Sequence, residues 1–211
     1  MVRTQDAFGD VNDVYLAVAA AVVVVVWLAF AFAVVRYRAG RHDTPRPTRD
    51  RNGVEIAIAV LLGAIVAGLV TLTFSANARE TENRDPIRFR VEALAYKWGW
   101  QFTYPSLPGV VDRTTDARPP ILHVPADTTV QVTLRTQDVT HAFWVPSVKY
   151  KSDAWPGDVH RFRLVFPLGD HLSGHCAQYC GLRHTDMVFT VHAMAPGEFR
   201  AWAARAAGRP A

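Results

Sequence analysis

Apolar residues along this chain follow two different rhythms. From Val14 to Val35 there are 22 consecutive residues without a charge, including the unbroken run Val22 to Val26. A helix of that length rises roughly 33 Å, enough to cross the hydrocarbon core of a bilayer. Ile56 to Ala76 is a second uncharged stretch, free of proline, with Gly63 and Gly68 of the kind that membrane helices tolerate. The pattern therefore predicts two spans, about 14–35 and 56–76, forming a hairpin. After a short charged linker, Asn77 to Pro86, it changes to brief alternating or β-branched runs broken by Pro, Gly and Asp. Ile87 to Phe102 holds one or two strands and Ile121 to Val124 another, while Thr129 to Thr136 alternates with Val130, Val132 and Leu134 on one face. His141 to Val145, Val159 to Phe166 and Val188 to Ala193 bring the set to about seven, which suits a Greek-key sandwich. Pro196 to Ala206 reads as a helix with proline at its start. The expected organisation is residues 1–76, an N-terminal segment with a transmembrane α-helical hairpin, and residues 77–211, an all-β domain with a C-terminal helix.

The first apolar stretch could also be a secretory signal peptide, since Ala29-Phe30-Ala31 and Ala31-Phe32-Ala33 offer small-residue cleavage patterns. Its flanks favour an anchor. Asp6, Asp10 and Asp13 precede a long core, and the arginines follow it. Between the spans, Arg36, Arg38, Arg41, Arg46, Arg49 and Arg51 face only Asp43 and Asp50. A loop so rich in arginine stays in the cytoplasm, which puts everything after about residue 77 on the outer, periplasmic or extracellular side of a bacterial-type plasma membrane. Its charge is better explained by topology than by binding to nucleic acid, and no nucleic-acid partner is expected.

Half of the 211 residues are hydrophobic, but only two are cysteines, and they stand four apart in His175-Cys176-Ala177-Gln178-Tyr179-Cys180-Gly181-Leu182-Arg183-His184-Thr185-Asp186-Met187. Two thiols, an imidazole and a thioether within a dozen residues suit a soft, redox-active metal such as copper. His141, at the head of a predicted strand, can add a second imidazole. From cysteine count alone an exported pair is a disulfide. A structural zinc held by two Cys and two His is a further reading, but it leaves Met187 without a purpose, whereas a weak axial methionine belongs to copper electron-transfer sites. A Cys–His nucleophile is poorer still, lacking a general base. The remaining histidines read as surface or packing residues. Among them is His175, whose side chain should point away from that of Cys176 in an extended segment.

The motif Cys176-x-x-x-Cys180-Gly181-x-x-His184-x-x-Met187, with His141 upstream, resembles the binuclear copper A site of cytochrome c oxidase subunit II. The likeness extends to the helical hairpin and to the segment Val145-Pro146 through Lys151-Ser152-Asp153-Ala154-Trp155-Pro156-Gly157. It implies a cupredoxin β-sandwich binding two copper ions, with Cys176 and Cys180 bridging, His141 and His184 each binding one ion, and Met187 and the Gln178 carbonyl in weak positions. It implies electron uptake from cytochrome c and delivery to haem in subunit I, where oxygen is reduced and protons are pumped; subunit III is a further expected partner.

Three more residues take roles from the same resemblance. In Tyr96-Lys97-Trp98-Gly99-Trp100-Gln101-Phe102-Thr103-Tyr104, alternation sends Trp100, Phe102 and Tyr104 into a core. Trp98 takes the position of the family's electron-accepting tryptophan, outside that core. Glu55 has an ordinary explanation as a carboxylate at a helix N-terminus; in the family a glutamate here marks the mouth of a proton path, although the Trp-Thr and Pro that usually follow are missing. Gln178 replaces a glutamate whose carboxylate reaches a magnesium ion at the boundary with subunit I. A neutral amide is a poorer ligand for so hard a cation, so that site is expected to be weak, empty or rebuilt. Rival readings are a quinol oxidase subunit, which normally lacks the copper ligands, a nitric-oxide reductase subunit, and an exported copper carrier or disulfide-stapled binding domain.

Overall fold

The computed structural model describes residues 4–38, 51–81, 85–116 and 118–208. Its two compact units are a helical one, Ala7–Asn83, and a β-rich one, Arg84–Ala211, with which Met1–Asp6 is grouped.

The helical unit is α1 (Thr4–Arg36) and α2 (Asn52–Thr81). Both are longer than the apolar stretches that predict them, because helix continues into the polar flanks on either side. Their apolar side chains face outward all round: Val22 to Val26, Trp27, Leu28, Phe30 and Phe32 on α1, and Ile56, Ile58, Val60, Leu61 and Leu62 on α2, are exposed. In water such a surface would be untenable, and in hydrocarbon it is the required one. These are two membrane-spanning helices, held to each other in part by the Tyr15 hydroxyl, which lies 2.9 Å from that of Thr73 and donates to the Leu69 carbonyl at 3.3 Å. Arg36, Arg38 and Arg51 flank the connecting segment, while Arg41, Arg46, Arg49, Asp43 and Asp50 lie outside the described residues.

The β unit is a sandwich of two five-stranded sheets. One runs β3-β2-β1-β5-β8, from β1 (Phe89–Tyr96), β2 (Gly99–Thr103), β3 (Val111–Arg113), β5 (Thr129–Thr136) and β8 (His160–Val165). The other runs β4-β10-β9-β6-β7, from β4 (Ile121–Pro125), β6 (His141–Val145), β7 (Tyr150–Ala154), β9 (Gly169–Cys176) and β10 (Val188–Met194). The parallel pairs β1/β5 and β4/β10 are the crossovers of a Greek key, and the other pairings are antiparallel. Strict alternation builds the core: Val91, Ala93 and Ala95 of β1 meet Val130, Val132 and Leu134 of β5 on the inner face, with Trp100, Phe102, Phe143 and Phe189 closing it. Trp100 and Phe189 approach edge-on at 5.3 Å.

Three strands exceed the seven expected. β3 is only three residues long, β7 is an edge strand of largely polar sequence, and β9 carries Gly169 and Gly174 amid polar residues. Each exists because a neighbour offers an open ladder, a tertiary cause that periodicity does not record. Gly174 is required there: a Cβ would stand 2.2 Å from the Phe189 ring. The tail helix α3 (Pro196–Ala207) packs through Phe199 and Trp202, the latter stacked on His123 at 4.4 Å.

Candidate metal centre

Three pieces of the second sheet build one site. His141 opens β6, Cys176 closes β9, and the loop from there to β10 carries Gln178, Cys180, His184 and Met187. Register places Phe143 opposite Cys176, so the end of β9 lies alongside the start of β6. The loop is pinned by backbone bonds from Cys176 N–H to the Met187 carbonyl at 2.9 Å and from Ala177 N–H to the Ala142 carbonyl at 3.1 Å. Gly181 turns the chain with φ +117°, a conformation that favours glycine, and the ring of Trp98 lies 3.3 Å from where a Cβ would be.

The donors converge pairwise. Cys176 Sγ lies 3.7 Å from His141 Nδ1 and 3.3 Å from the Gln178 carbonyl oxygen. Cys180 Sγ lies 3.5 Å from His184 Nδ1 and 3.9 Å from Met187 Sδ. The two sulfurs are 3.9 Å apart and both thiols are free, which removes the disulfide reading. His141, Met187 and both cysteines are buried, and His184 is half-buried. Among the described residues, His141, Cys176 and Cys180 form the one group of His, Cys or carboxylate ligand atoms lying within 4.8 Å of one another. His184 approaches Cys180 but falls outside that group. A single tetrahedral ion with bonds of about 2.0–2.3 Å needs all four donors crowded together. One imidazole stands beside each of the two neighbouring sulfurs.

Electrostatics separate the two thiols. Burial opposes ionisation of Cys176, but hydrogen bonds from His141 and from the backbone at Ala142 and Gln178 outweigh it, and its pKa falls well below the thiol range. Burial and then the charge on Cys176 push Cys180 the other way. His141 is raised: burial lowers it, and its bonds to Cys176 and Asp138 more than compensate. Without metal these directions favour a proton on His141 over one on Cys176, and a metal taking both as ligands would have to displace protons.

Trp98 sits in the turn between β1 and β2, so strand alternation does not set its direction. The expectation that it stands clear of the core is corrected: the indole is half-buried, packs on the core, and donates from Nε1 to the Cys180 carbonyl at 3.2 Å. Trp100, Phe102 and Tyr104 point inward as alternation requires. His175 turns away from Cys176, meeting Ser173 Oγ at 2.8 Å and the ring of Trp144 at 5.7 Å. Glu55 is exposed in the first turn of α2. One contributor escaped the sequence reading: Asp138, whose carboxylate lies 2.8 Å from Nε2 of His141. Its spacing of three residues before a candidate ligand was the available signal.

A β-sandwich that gathers buried Cys, His and Met side chains from two strand ends and one loop, and that follows two apolar helices in the chain, is a membrane-anchored domain of the cupredoxin class. Residues 113–194 match the family model described as cytochrome C oxidase subunit II, periplasmic domain. The chain is similar to cytochrome c oxidase subunit 2 of Bacillus subtilis, 31% identical over 192 residues that cover 82% of this chain and 51% of that one. It is also similar to the haem–copper oxidase subunit 2 of Aeropyrum pernix, 30% identical over 152 residues, 70% of this chain and 62% of that one. It thus spans about half to three-fifths of these relatives' length. The fold is that of the periplasmic domain of cytochrome oxidase subunit II from Bradyrhizobium japonicum, with TM-score 0.50, 23% identity, and coverage of 57% of this chain and 94% of that one. The chain belongs to the cytochrome c oxidase subunit II family.

Proposed function

We propose that this chain is the electron-accepting subunit of a haem–copper terminal oxidase, taking electrons from a cytochrome c at a binuclear copper A centre. The observation that carries this reading is the pairing of donors, one imidazole beside each of two free sulfurs 3.9 Å apart, with a thioether and a carbonyl at the margins. Cys176, Cys180, His141 and His184 would hold the copper, with Met187 and the Gln178 carbonyl near enough to contribute. When bound, a copper pair would supply a one-electron store shared over both metals.

The protein's own part is to hold these donors still and dry. His141 and Cys176 on strand ends, and a loop pinned to them by backbone bonds, with His141 and Met187 wholly buried, would keep the donors in place when charge arrives and exclude water. Trp98 reaches from a half-exposed turn to the carbonyl of a cysteine ligand through one hydrogen bond, a short route inward for an electron. The partners in this reading are a haem-bearing subunit I, where oxygen reduction and proton pumping take place, a subunit III, and the cytochrome. The arginine-rich connection lies on the cytoplasmic side and the β domain outside. Glu55, at the cytoplasmic end of α2, would face the mouth of a proton path. Gln178 supplies no carboxylate, so magnesium at the boundary with subunit I would be weakly held.

The test is to load the full chain with copper in detergent and record metal content with optical and electron-spin spectra. Two coppers per chain and a mixed-valence signal are expected, abolished by Cys176→Ser or Cys180→Ser because a hydroxyl does not replace a bridging thiolate. A single zinc in the native complex would overturn the reading.

A further inference from the structure

Asp138 is outside the donor set yet touches both a segment that contributes to it and the turn whose indole hydrogen-bonds it. Its Oδ1 lies 2.8 Å from Nε2 of His141 and accepts the N–H of Val139 at 2.7 Å; its Oδ2 accepts the N–H of Lys97, next to Trp98, at 2.8 Å. A carboxylate only accepts, so the nitrogen facing it carries a hydrogen. An imidazole that binds metal is neutral, which leaves its other nitrogen bare. That other nitrogen is Nδ1, the one aimed at Cys176 Sγ.

We propose that Asp138 is a positioning residue for the metal centre: it fixes His141 as the Nε2–H form, presenting the Nδ1 lone pair to the metal, and ties the Trp98 turn to the same ligand. This rests on the copper reading above. The competing role, shaping the 136–141 loop, has other support. Thr136 Oγ1 donates to the Val139 carbonyl at 2.7 Å, Asp138 N–H donates to Thr136 Oγ1 at 3.3 Å, and Gln137 N–H donates to the Ala95 carbonyl at 2.9 Å. None of these needs the Asp138 side chain. His141, by contrast, is 0% exposed, and its outer nitrogen without a carboxylate would be a buried polar atom lacking water. A carboxylate on the outer nitrogen also makes the inner one a stronger donor, as in other histidine-bound metal sites.

The experiment compares the full chain in detergent with Asp138→Ala and Asp138→Asn. Alanine removes acceptor and charge, while asparagine keeps an oxygen for His141 and removes only the charge. In the metal-free Cys176→Ser background, which removes the competing thiolate beside Nδ1, and at a pH high enough to neutralise the imidazole, the ring nitrogen resonances of His141 report the tautomer. Nε2–H is expected there with Asp138 or Asp138→Asn, and a mixture with Asp138→Ala. Copper affinity should fall roughly 10- to 100-fold in Asp138→Ala and less in Asp138→Asn. The reduction potential should rise in both, since a negative charge beside a ligand is lost. A role confined to the loop would lower the melting temperature and leave tautomer, affinity and potential alone. That result overturns the proposal, and if Asp138→Ala does not fold, an unchanged affinity and potential in Asp138→Asn overturns it. A wild-type chain that binds no copper pair would instead overturn the functional reading, with the tautomer still decided by the nitrogen resonances.

Discussion

Trp98 makes contacts that its neighbours do not. The indole packs against Gly181 and hydrogen-bonds the carbonyl of Cys180, so it is coupled to the metal loop by contact as well as by sequence position. Replacing it with phenylalanine deletes one N–H···O bond, worth about 1 kcal/mol, and a few degrees of melting temperature at most. We expect Trp98→Phe to slow cytochrome c oxidation by the assembled complex several-fold while the copper spectrum stays as it was. Full activity in that variant, measured by stopped-flow, would remove Trp98 from the electron route. The residue types of the site were legible in sequence, because soft donors gathered at short spacing have few other uses. Their pairing into two imidazole–sulfur couples was not, since Cys176 and His141 are 35 residues apart and meet only through the β6/β9 register.

Among the elements, α3 and β4 offer the clearest pH-dependent contact. His123 donates through Nδ1 to the Ile121 carbonyl at 3.1 Å and stacks on Trp202, 11° from parallel. Burial, assisted by His192 and Arg118 and resisted by Asp112 and the Ile121 carbonyl, lowers its pKa from 6.5 to about 4. A histidine depressed in the folded state contributes stability that is fully present above its unfolded pKa. Between pH 6.5 and 4 the unfolded chain binds the extra proton, so this contribution declines across that window and is lost below it. Allowing for partial exposure, it amounts to about 1–2 kcal/mol. Metal-free wild type should therefore lose melting temperature between pH 7 and 4.5 more steeply than His123→Phe, which keeps the stacking and cannot titrate. Parallel slopes in the two proteins would contradict this. The element map has the same division as the site. Thr129–Thr136 and His141–Val145 are strands over the residues that their alternation marks, whereas β3, β7 and β9 take their form from the strands beside them.

Taken as a whole, the molecule joins an apolar hairpin to a slightly basic β domain: residues 77–211 hold 16 Lys and Arg against 13 Asp and Glu, a net of +3. Lys97 is exposed beside Trp98, and Tyr179 and Leu182 in the metal loop are 78% and 89% exposed. This face suits a donor that is acidic, or tethered and docked through apolar contacts, more than a strongly basic one. Oxidation of a basic soluble cytochrome should then change little as salt rises, and a steep fall in rate with ionic strength would refute the assignment. The amino-acid sequence by itself determined the two spans, the β class and the chemistry of the donors, because length, periodicity and ligand softness are local properties of the chain. Only the tertiary structure decided which histidine stands beside which sulfur, that Trp98 reaches a ligand carbonyl, and that Asp138 backs His141. Each of those is a distance between segments brought together by strand register and packing, and no local pattern contains it.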